Sequence, residues 1–337
     1  MDCIASAAFG LQVDSQNNPD DQFVKYAKSI LNFNIYNPLL LIILVFPSTS
    51  KFLERVFGYQ IISKETVAFF VDVIEKAMEF RHGDGEDQET KRVDFLQLML
   101  NAHKDNDSEI TDDEKLDENH DFDFYKEHGL SKDEILGHSF LFFLAGYDTV
   151  SSCLSFTSYL LATNVEVQDR LVDEINDTLQ DCHQLSFEVI SKMNYLDMVL
   201  CESLRLYPPA VVTDRRCCRD TEIGGVFLKK DMRIIVPIWV IHHDPELWPE
   251  PDRFLPERFT KEEKEKRHPL AWMPFGIGPR NCIGMRFALM EAKIALIKVL
   301  QKFRLEPCSK TEIPPKLKKG GLLDAQNGFW LRMTKRM

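Results

Sequence analysis

Long hydrophobic runs are missing from this 337-residue chain. The most apolar stretch, Pro38–Pro47 (PLLLIILVFP), falls well short of the roughly 20 residues that a transmembrane helix needs. We therefore expect no membrane span, and this stretch either packs in the core or dips into a membrane surface. Met1 is followed at once by an acidic residue and a mixed helical pattern, so we expect no signal peptide either.

A cysteine framework and an excess of basic residues are also missing. The 8 cysteines are scattered and include no C-x-x-C pair, which argues against a disulfide-stapled secreted domain and against a zinc ribbon. Reduced thiols facing the cytosol are the expected state. Acidic residues outnumber basic ones by 53 to 41, so the chain lacks the basic surface typical of a nucleic-acid-binding protein.

What the chain does have is the composition of a globular protein with a large core. Hydrophobic residues make up 44% and charged residues 28%, and phenylalanine is abundant with 24 residues. The net charge of −12 is concentrated in residues 104–128, where 11 acidic residues stand against 3 lysines. We expect this segment to be a solvated acidic loop, because it has few apolar residues to bury.

The helical patterns include one element of unusual length. Ser131 and Glu134 form a capping box, and an apolar pattern follows to about Thr163. About 32 residues at 1.5 Å each predict a helix of roughly 48 Å through the interior of the protein. Its polar interruption, Asp148-Thr149, follows Ala145-Gly146 and could open the helical hydrogen bonds locally to form a groove.

Shorter elements surround this helix along the chain. The patterns predict further helices, short strands around Gly224-Gly225 and a terminal hairpin in the tail that holds Pro314-Pro315 and Gly320-Gly321. The predicted helices cover residues 92–102, 166–179, 195–206 and 283–303.

A glycine-rich loop near the C-terminus holds the most informative cysteine. It reads Phe275-Gly-Ile-Gly-Pro-Arg-Asn-Cys-Ile-Gly284. Its glycines and proline allow a tight turn, and Cys282 comes just before an apolar helix whose N-terminal end favours a thiolate. Such a loop suits a metal-ligating thiolate. The alternative is a glycine-rich loop around a buried structural cysteine.

This loop resembles the cysteine-ligand loop of the cytochromes P450, F-x-x-G-x-R-x-C-x-G, at every fixed position. Further motifs that resemble the family's occur in its order and spacing: Glu202–Arg205 as E-x-x-R, Pro256–Phe259 as P-E-R-F and Ala145–Thr149 as A-G-x-[DE]-T. Resemblance to the broad-specificity hepatic microsomal enzymes of family 3 is carried by the segments Met1–Pro19, Arg92–Met99, Ala145–Ser152 and Pro274–Met290.

The resemblance implies a mainly α fold with small β-sheets. It also implies that residues 1–337 are one partial catalytic domain, with residues 104–128 as a surface loop within it. Met1 matches an internal methionine of the family, so we expect the N-terminal third of the family's chain to be absent.

The resemblance also implies haem b as cofactor, with the Cys282 thiolate as axial iron ligand. It implies further haem contacts from Phe275, Arg280, Gly284, Arg215 and Ala145. Phe275 would cover the sulfur, and Arg280 and Arg215 would pair with the haem propionates. Arg216 is an alternative to Arg215.

Other roles follow from the same resemblance. Asp148 and Thr149 would be catalytic, with Thr149 holding bound oxygen and Asp148 helping to deliver protons. The alternative is a threonine bonded back to the preceding turn with no chemical role. A buried structural network is expected from Glu202, Arg205 and Arg258. Substrate contacts are expected from Phe33, Val211, Val212, Leu322 and Leu323.

The implied function is insertion of one oxygen atom from O2 into lipophilic organic substrates of a xenobiotic or steroid-like kind. Electrons would come from NADPH through the flavoprotein NADPH-cytochrome P450 reductase, with cytochrome b5 as a further candidate donor. The expected location is the cytosolic face of the endoplasmic reticulum membrane. The alternatives are a truncated, non-catalytic product and an isomerase-type P450 that needs no O2. Retention of Asp148-Thr149 favours oxygen activation.

Overall fold

A computed structural model of the chain describes residues 1–18, 20–31, 62–82, 94–102, 129–180, 185–318 and 322–336. The acidic segment 104–128, the whole of Pro38–Pro47 and the candidate substrate contact Phe33 lie outside these residues.

Helices dominate the described residues. They are α1 (Asp2–Phe9), α2 (Gln22–Leu31), α3 (Lys64–His82), α4 (Phe95–Asn101), α5 (Lys132–Thr163), α6 (Val165–Leu179), α7 (Phe187–Ile190), α8 (Asn194–Leu206), α9 (Ile238–His242), α10 (Lys261–Lys266) and α11 (Met285–Leu300). Short 3-10 helices cover Pro256–Phe259 and Pro269–Ala271.

The strands form small antiparallel sheets of two strands each. They are β1 (Thr213–Arg216), β2 (Thr221–Ile223), β3 (Val226–Leu228), β4 (Arg233–Val236), β5 (Phe303–Pro307) and β6 (Leu331–Lys335). β1 pairs with β4, β2 with β3 and β5 with β6. The predicted class, mainly α with small β-sheets, is confirmed.

The long helix begins where the capping box predicts. The Ser131 amide donates to Glu134 Oε2 at 2.8 Å, and the Glu134 amide donates back to Ser131 Oγ at 3.3 Å. The helix α5 then runs for 32 residues. By length and composition alone it could cross a membrane, a test that core helices of soluble proteins also pass. That match does not show a membrane span, so the sequence-based expectation of none stays a prediction.

The chain divides into two compact units, Met1–Asp148 and Thr149–Met337. The first unit has an aromatic core in which the Phe23 ring lies 5.4 Å from Phe70 and 4.9 Å from Phe143, centroid to centroid. The second has a larger aliphatic core from α6, α8 and α11, including Leu171, Ile175, Leu196, Leu200, Leu296 and Leu300.

Most predicted elements agree with the structure to within a few residues. The predicted terminal hairpin agrees with an antiparallel bridge between Leu317 and Ala325. Beside this bridge the Lys318 amide donates to the Asp324 carbonyl at 2.8 Å, and the Gln326 amide donates to the Lys316 carbonyl at 2.7 Å. The strand that follows, β6, pairs with β5, which lies more than 20 residues earlier. The pattern signals a strand, but it does not signal how far along the chain that strand's partner lies.

Candidate functional site

The loop before α11 has the tight backbone geometry that its glycines predict. Gly276 and Gly278 have φ values of 69° and 84°, a region that side-chain-bearing residues rarely adopt. The turn is closed by the Cys282 amide, which donates to the Phe275 carbonyl at 2.8 Å. The backbone therefore folds back so that Cys282 lies at the end of a closed loop.

Cys282 lies at the start of an apolar helix with its thiol uncovered. Gly284 is the N-cap of α11, and Cys282 is an exposed, free cysteine. A Cβ added at Gly284 would stand 3.9 Å from the Cys282 sulfur, so this glycine is close to the thiol. The next residue, Ile283, is 82% exposed, and Phe287 one turn on is 43% exposed.

These residues fit haem as a cofactor. Among the described residues, no group of three or more His, Cys, Asp or Glu side chains could hold a metal ion. A haem needs only one axial protein ligand, because its porphyrin supplies the other donors. An accessible thiol at a helix N-terminus, beside uncovered apolar side chains, matches that requirement.

Of two neighbouring arginines on β1, only one is directed to the loop. Arg215 Nη2 donates to the Ile277 carbonyl in the loop at 3.4 Å, and its Nη1 donates to the Asp214 carbonyl at 2.7 Å. Arg216 instead forms an ion pair with Asp231 at 2.8 Å. The geometry therefore favours Arg215 for a propionate. Arg280 is exposed within the loop itself.

The three charged residues of the expected network meet in the second unit. Arg205 binds Glu202 through two hydrogen bonds of 2.7 and 2.9 Å, and both side chains are 0% exposed. Arg258 Nε lies 3.3 Å from Glu202 Oε1. Burial raises the pKa of Glu202, and the hydrogen bonds and charge of Arg205 oppose that shift. The carboxylate therefore depends on Arg205 to stay ionised.

Arg205 also holds the backbone of the segment that precedes Pro256. It donates to the carbonyls of Pro251 at 2.7 Å and Arg253 at 3.2 Å. Glu202 Oε1 accepts the Leu255 amide at 3.1 Å. One side-chain pair on α8 thus fixes several backbone groups of a segment with little regular structure.

The candidate catalytic residues lie on α5. Asp148 and Thr149 are half-buried and Ala145 is exposed. The helix runs through Asp148-Thr149 without a break. The suggested local opening of its hydrogen bonds stays a prediction.

Gly146 has a packing role that the sequence did not reveal. A Cβ added there would stand 2.7 Å from the end of the Ile4 side chain in α1. The space beside this glycine is therefore filled by Ile4, and the idea that Gly146 opens a groove is wrong here.

The candidate substrate residues of the second unit come from two segments that the backbone joins. The Leu323 amide donates to the Pro209 carbonyl at 2.9 Å, just before Val211 and Val212. Ser152 of α5 donates to the Leu323 carbonyl at 2.8 Å. Val212 is 53% exposed, whereas Leu323 is buried. The two segments thus lie beside the second-unit part of α5, and Leu322 is half-buried there.

Sequence reasoning missed His242. This residue ends the apolar run of α9, is fully buried, and lies between Arg205 and the segment that leads into the Cys282 loop. The available signal was a titratable residue at the end of the otherwise apolar Ile-Trp-Val-Ile run.

Comparison with known proteins gives a consistent result. The family model described as Cytochrome P450 matches residues 1–332. The chain is 43% identical over 336 residues to cytochrome P450 3A41 of Mus musculus and 42% identical to cytochrome P450 3A29 of Sus scrofa. Each alignment covers 100% of this chain and 63% of the relative. The chain thus spans under two thirds of these relatives' length.

Proposed function

The chain belongs to the cytochrome P450 family, and we propose from that premise that it carries the chemistry of a haem-thiolate monooxygenase with Cys282 as the iron ligand. The observation that carries the proposal is the closed loop that presents an exposed thiol at the N-terminus of α11. When bound, haem would supply the iron at which O2 is activated for transfer of one oxygen atom to substrate.

The remaining roles belong to side chains of this chain. Arg215 and Arg280 lie in or against the loop and carry the positive charges that would hold propionates. The Glu202–Arg205 pair and Arg258 would brace the segment before Pro256. Phe275 would cover the proximal side of the Cys282 sulfur.

Asp148 and Thr149 would manage protons and the bound oxygen. Each has a polar side chain on a helix that is otherwise largely apolar. A positioned proton donor typically contributes about 10²–10⁴-fold in rate. This pair supports oxygen activation over an isomerase that needs neither O2 nor reductant.

The wider setting is proposed on the same grounds. The reaction consumes electrons one at a time, so a flavoprotein NADPH-cytochrome P450 reductase would supply them, with cytochrome b5 as a further candidate. Substrates would be lipophilic small molecules that contact Val211, Val212 and Leu322. The endoplasmic reticulum membrane, on its cytosolic face, would be the site of action.

The test is a reduced, carbon-monoxide difference spectrum of the purified, haem-loaded chain. Thiolate ligation gives a band at about 450 nm, which is the expected result. Absence of that band, with haem bound, would show that Cys282 does not ligate the iron. Product formation that consumes no NADPH would instead favour the isomerase.

A further inference from the structure

A buried histidine bridges the Glu202–Arg205 pair and the segment that leads into the Cys282 loop. His242 is the last residue of α9 and is 0% exposed. Its Nδ1 lies 3.2 Å from the Arg205 carbonyl oxygen, and its Nε2 lies 3.0 Å from the Met273 amide nitrogen. In the opposite direction, Arg205 Nη1 donates a hydrogen bond to the His242 carbonyl at 2.8 Å.

These contacts fix the protonation state of the ring. The Met273 amide can only donate, so His242 Nε2 must be the unprotonated acceptor. Nδ1 then carries the proton and donates to the Arg205 carbonyl. The ring must be neutral to make both bonds, and burial agrees, because it lowers the pKa of His242 to about 3.

The Met273 end of the bridge continues into the loop. The Met273 carbonyl accepts the Gly276 amide at 3.0 Å, and the Phe275 carbonyl accepts the Cys282 amide at 2.8 Å. Because Met273 is buried, water could not replace the imidazole as acceptor for its amide, which would be left without a hydrogen bond if the imidazole were removed. A short series of hydrogen bonds therefore runs from the ion pair on α8 to the backbone of the cysteine.

We propose that His242 is a positioning residue, which sets the backbone at Met273 and thereby the placement of the Cys282 thiol relative to the Glu202–Arg205 pair. This inference rests on the proposed function in one respect, the role of Cys282 as iron ligand. The hydrogen-bond link itself does not depend on haem.

The neighbouring histidine provides a matched control. His243 is only half-buried and caps the C-terminal end of α9. Its Nδ1 contacts the Trp239 carbonyl at 2.9 Å, and its ring stacks on Trp239 at 4.1 Å. Substitution of His243 removes an imidazole from the same place in the chain without touching Met273.

Three replacements of His242 separate the two ends of the bridge. His242→Gln places an amide oxygen at about the reach of Nε2 and can still accept from Met273. The side-chain amide of His242→Asn reaches only to the position of Nδ1, so its NH2 group can still donate to the Arg205 carbonyl but cannot accept from Met273. His242→Leu makes neither bond. These would be compared with His243→Gln and His243→Leu in the purified chain.

The first measurement is hydrogen exchange at the Met273 amide without haem. We expect exchange to quicken about tenfold in His242→Leu and His242→Asn, which is the effect of losing one hydrogen bond of ordinary strength. His242→Gln and both His243 variants should remain near wild type. If His242→Asn protects Met273 as well as His242→Gln does, the proposal is overturned. The same holds if His242→Leu leaves exchange unchanged.

The second measurement is the reduced carbon-monoxide band of the haem-loaded variants, read beside their unfolding midpoints. We expect His242→Asn to lose part of the band at about 450 nm while His242→Gln keeps it. A purely structural role predicts that the band follows the midpoint in all variants, and that outcome would refute positioning. If wild type itself lacks the band, the proposed function fails, whereas the exchange experiment still decides the link. Should His242→Leu fail to fold, the Gln and Asn pair carries the test.

Discussion

Replacement of Arg205 with methionine is expected to destabilise the fold by about 3–5 kcal/mol, the typical cost of breaking a buried ion pair from one side. The structure explains where that cost arises. Glu202 Oε2 loses its 2.7 Å partner, while Oε1 keeps the Leu255 amide at 3.1 Å and Arg258 at 3.3 Å. The carbonyls of His242 and Pro251 also lose a charged donor.

A loss of this size is large against the total stability of a domain, which is typically about 5–15 kcal/mol. The measurement is urea unfolding of the purified chain followed by circular dichroism, with the free energy taken from the midpoint and slope. Arg253→Met is the matched control. Arg253 pairs with Glu250 at the same spacing and 2.9 Å, but the two side chains are 62% and 61% exposed. An exposed pair is worth about 1 kcal/mol or less.

A further variant tests the cause of the cost. Glu202→Gln combined with Arg205→Met removes both charges of the pair and leaves Arg258, which still donates to the Glu250 carbonyl at 2.8 Å. The double variant should therefore be less destabilised than the sum of the two single changes. If Arg205→Met falls within about 1 kcal/mol of Arg253→Met, the buried pair does not hold the fold and the reasoning is refuted.

The remaining predictions concern the proposed chemistry and the buried histidine. Cys282→Ala should abolish the reduced carbon-monoxide band at about 450 nm. Cys218→Ala, at an exposed cysteine outside the loop, is the control and should keep the band. A normal band in Cys282→Ala would contradict ligation of the iron by Cys282. In the haem-loaded, reductase-coupled enzyme, Thr149→Ala should still consume NADPH but form hydrogen peroxide instead of product. The ratio of peroxide to product should rise by about tenfold or more, because a positioned proton route is lost. An unchanged ratio would mean that Thr149 only packs. The pKa of His242 is 6.5 in the unfolded chain and about 3 in the folded one, because burial disfavours the charged ring. Its full contribution to stability is present above pH 6.5 and is lost as the pH falls toward 3, since only the unfolded chain then binds the proton. Unfolding free energy should therefore drop by about 2 kcal/mol more between pH 7.5 and 5 in wild type than in His242→Gln, and parallel pH profiles would exclude this.

Local signals in the sequence predict local structure well. The start of α5 is an example, because the capping box joins residues three apart and forms as predicted. The Glu202–Arg205 contact is another, since a spacing of three places both side chains on one face of α8. The glycines of the Cys282 loop also adopt the backbone that only glycine adopts readily.

Contacts between residues that are distant in the chain could not be predicted from the sequence in this way. Arg215 and Arg216 are adjacent on a strand, so they point to opposite sides, and only the packed structure shows which side faces the loop. Gly146 resembles a residue that makes room for a ligand, yet its neighbour is Ile4, more than 140 positions earlier. Neither outcome follows from spacing along the chain.

Arg205 connects these observations, because its geometry explains why the E-x-x-R pattern requires arginine. Its guanidinium donates to two carboxylate oxygens and to the carbonyls of His242, Pro251 and Arg253, which lie in different directions. A lysine offers one compact ammonium and could not reach them all. The backbone carbonyl of the same residue faces the His242 imidazole. The segment before Pro256 is thus held by the Arg205 side chain, and the approach to Cys282 is held through its main chain. A change at either attachment should therefore alter the surroundings of the thiol without touching it.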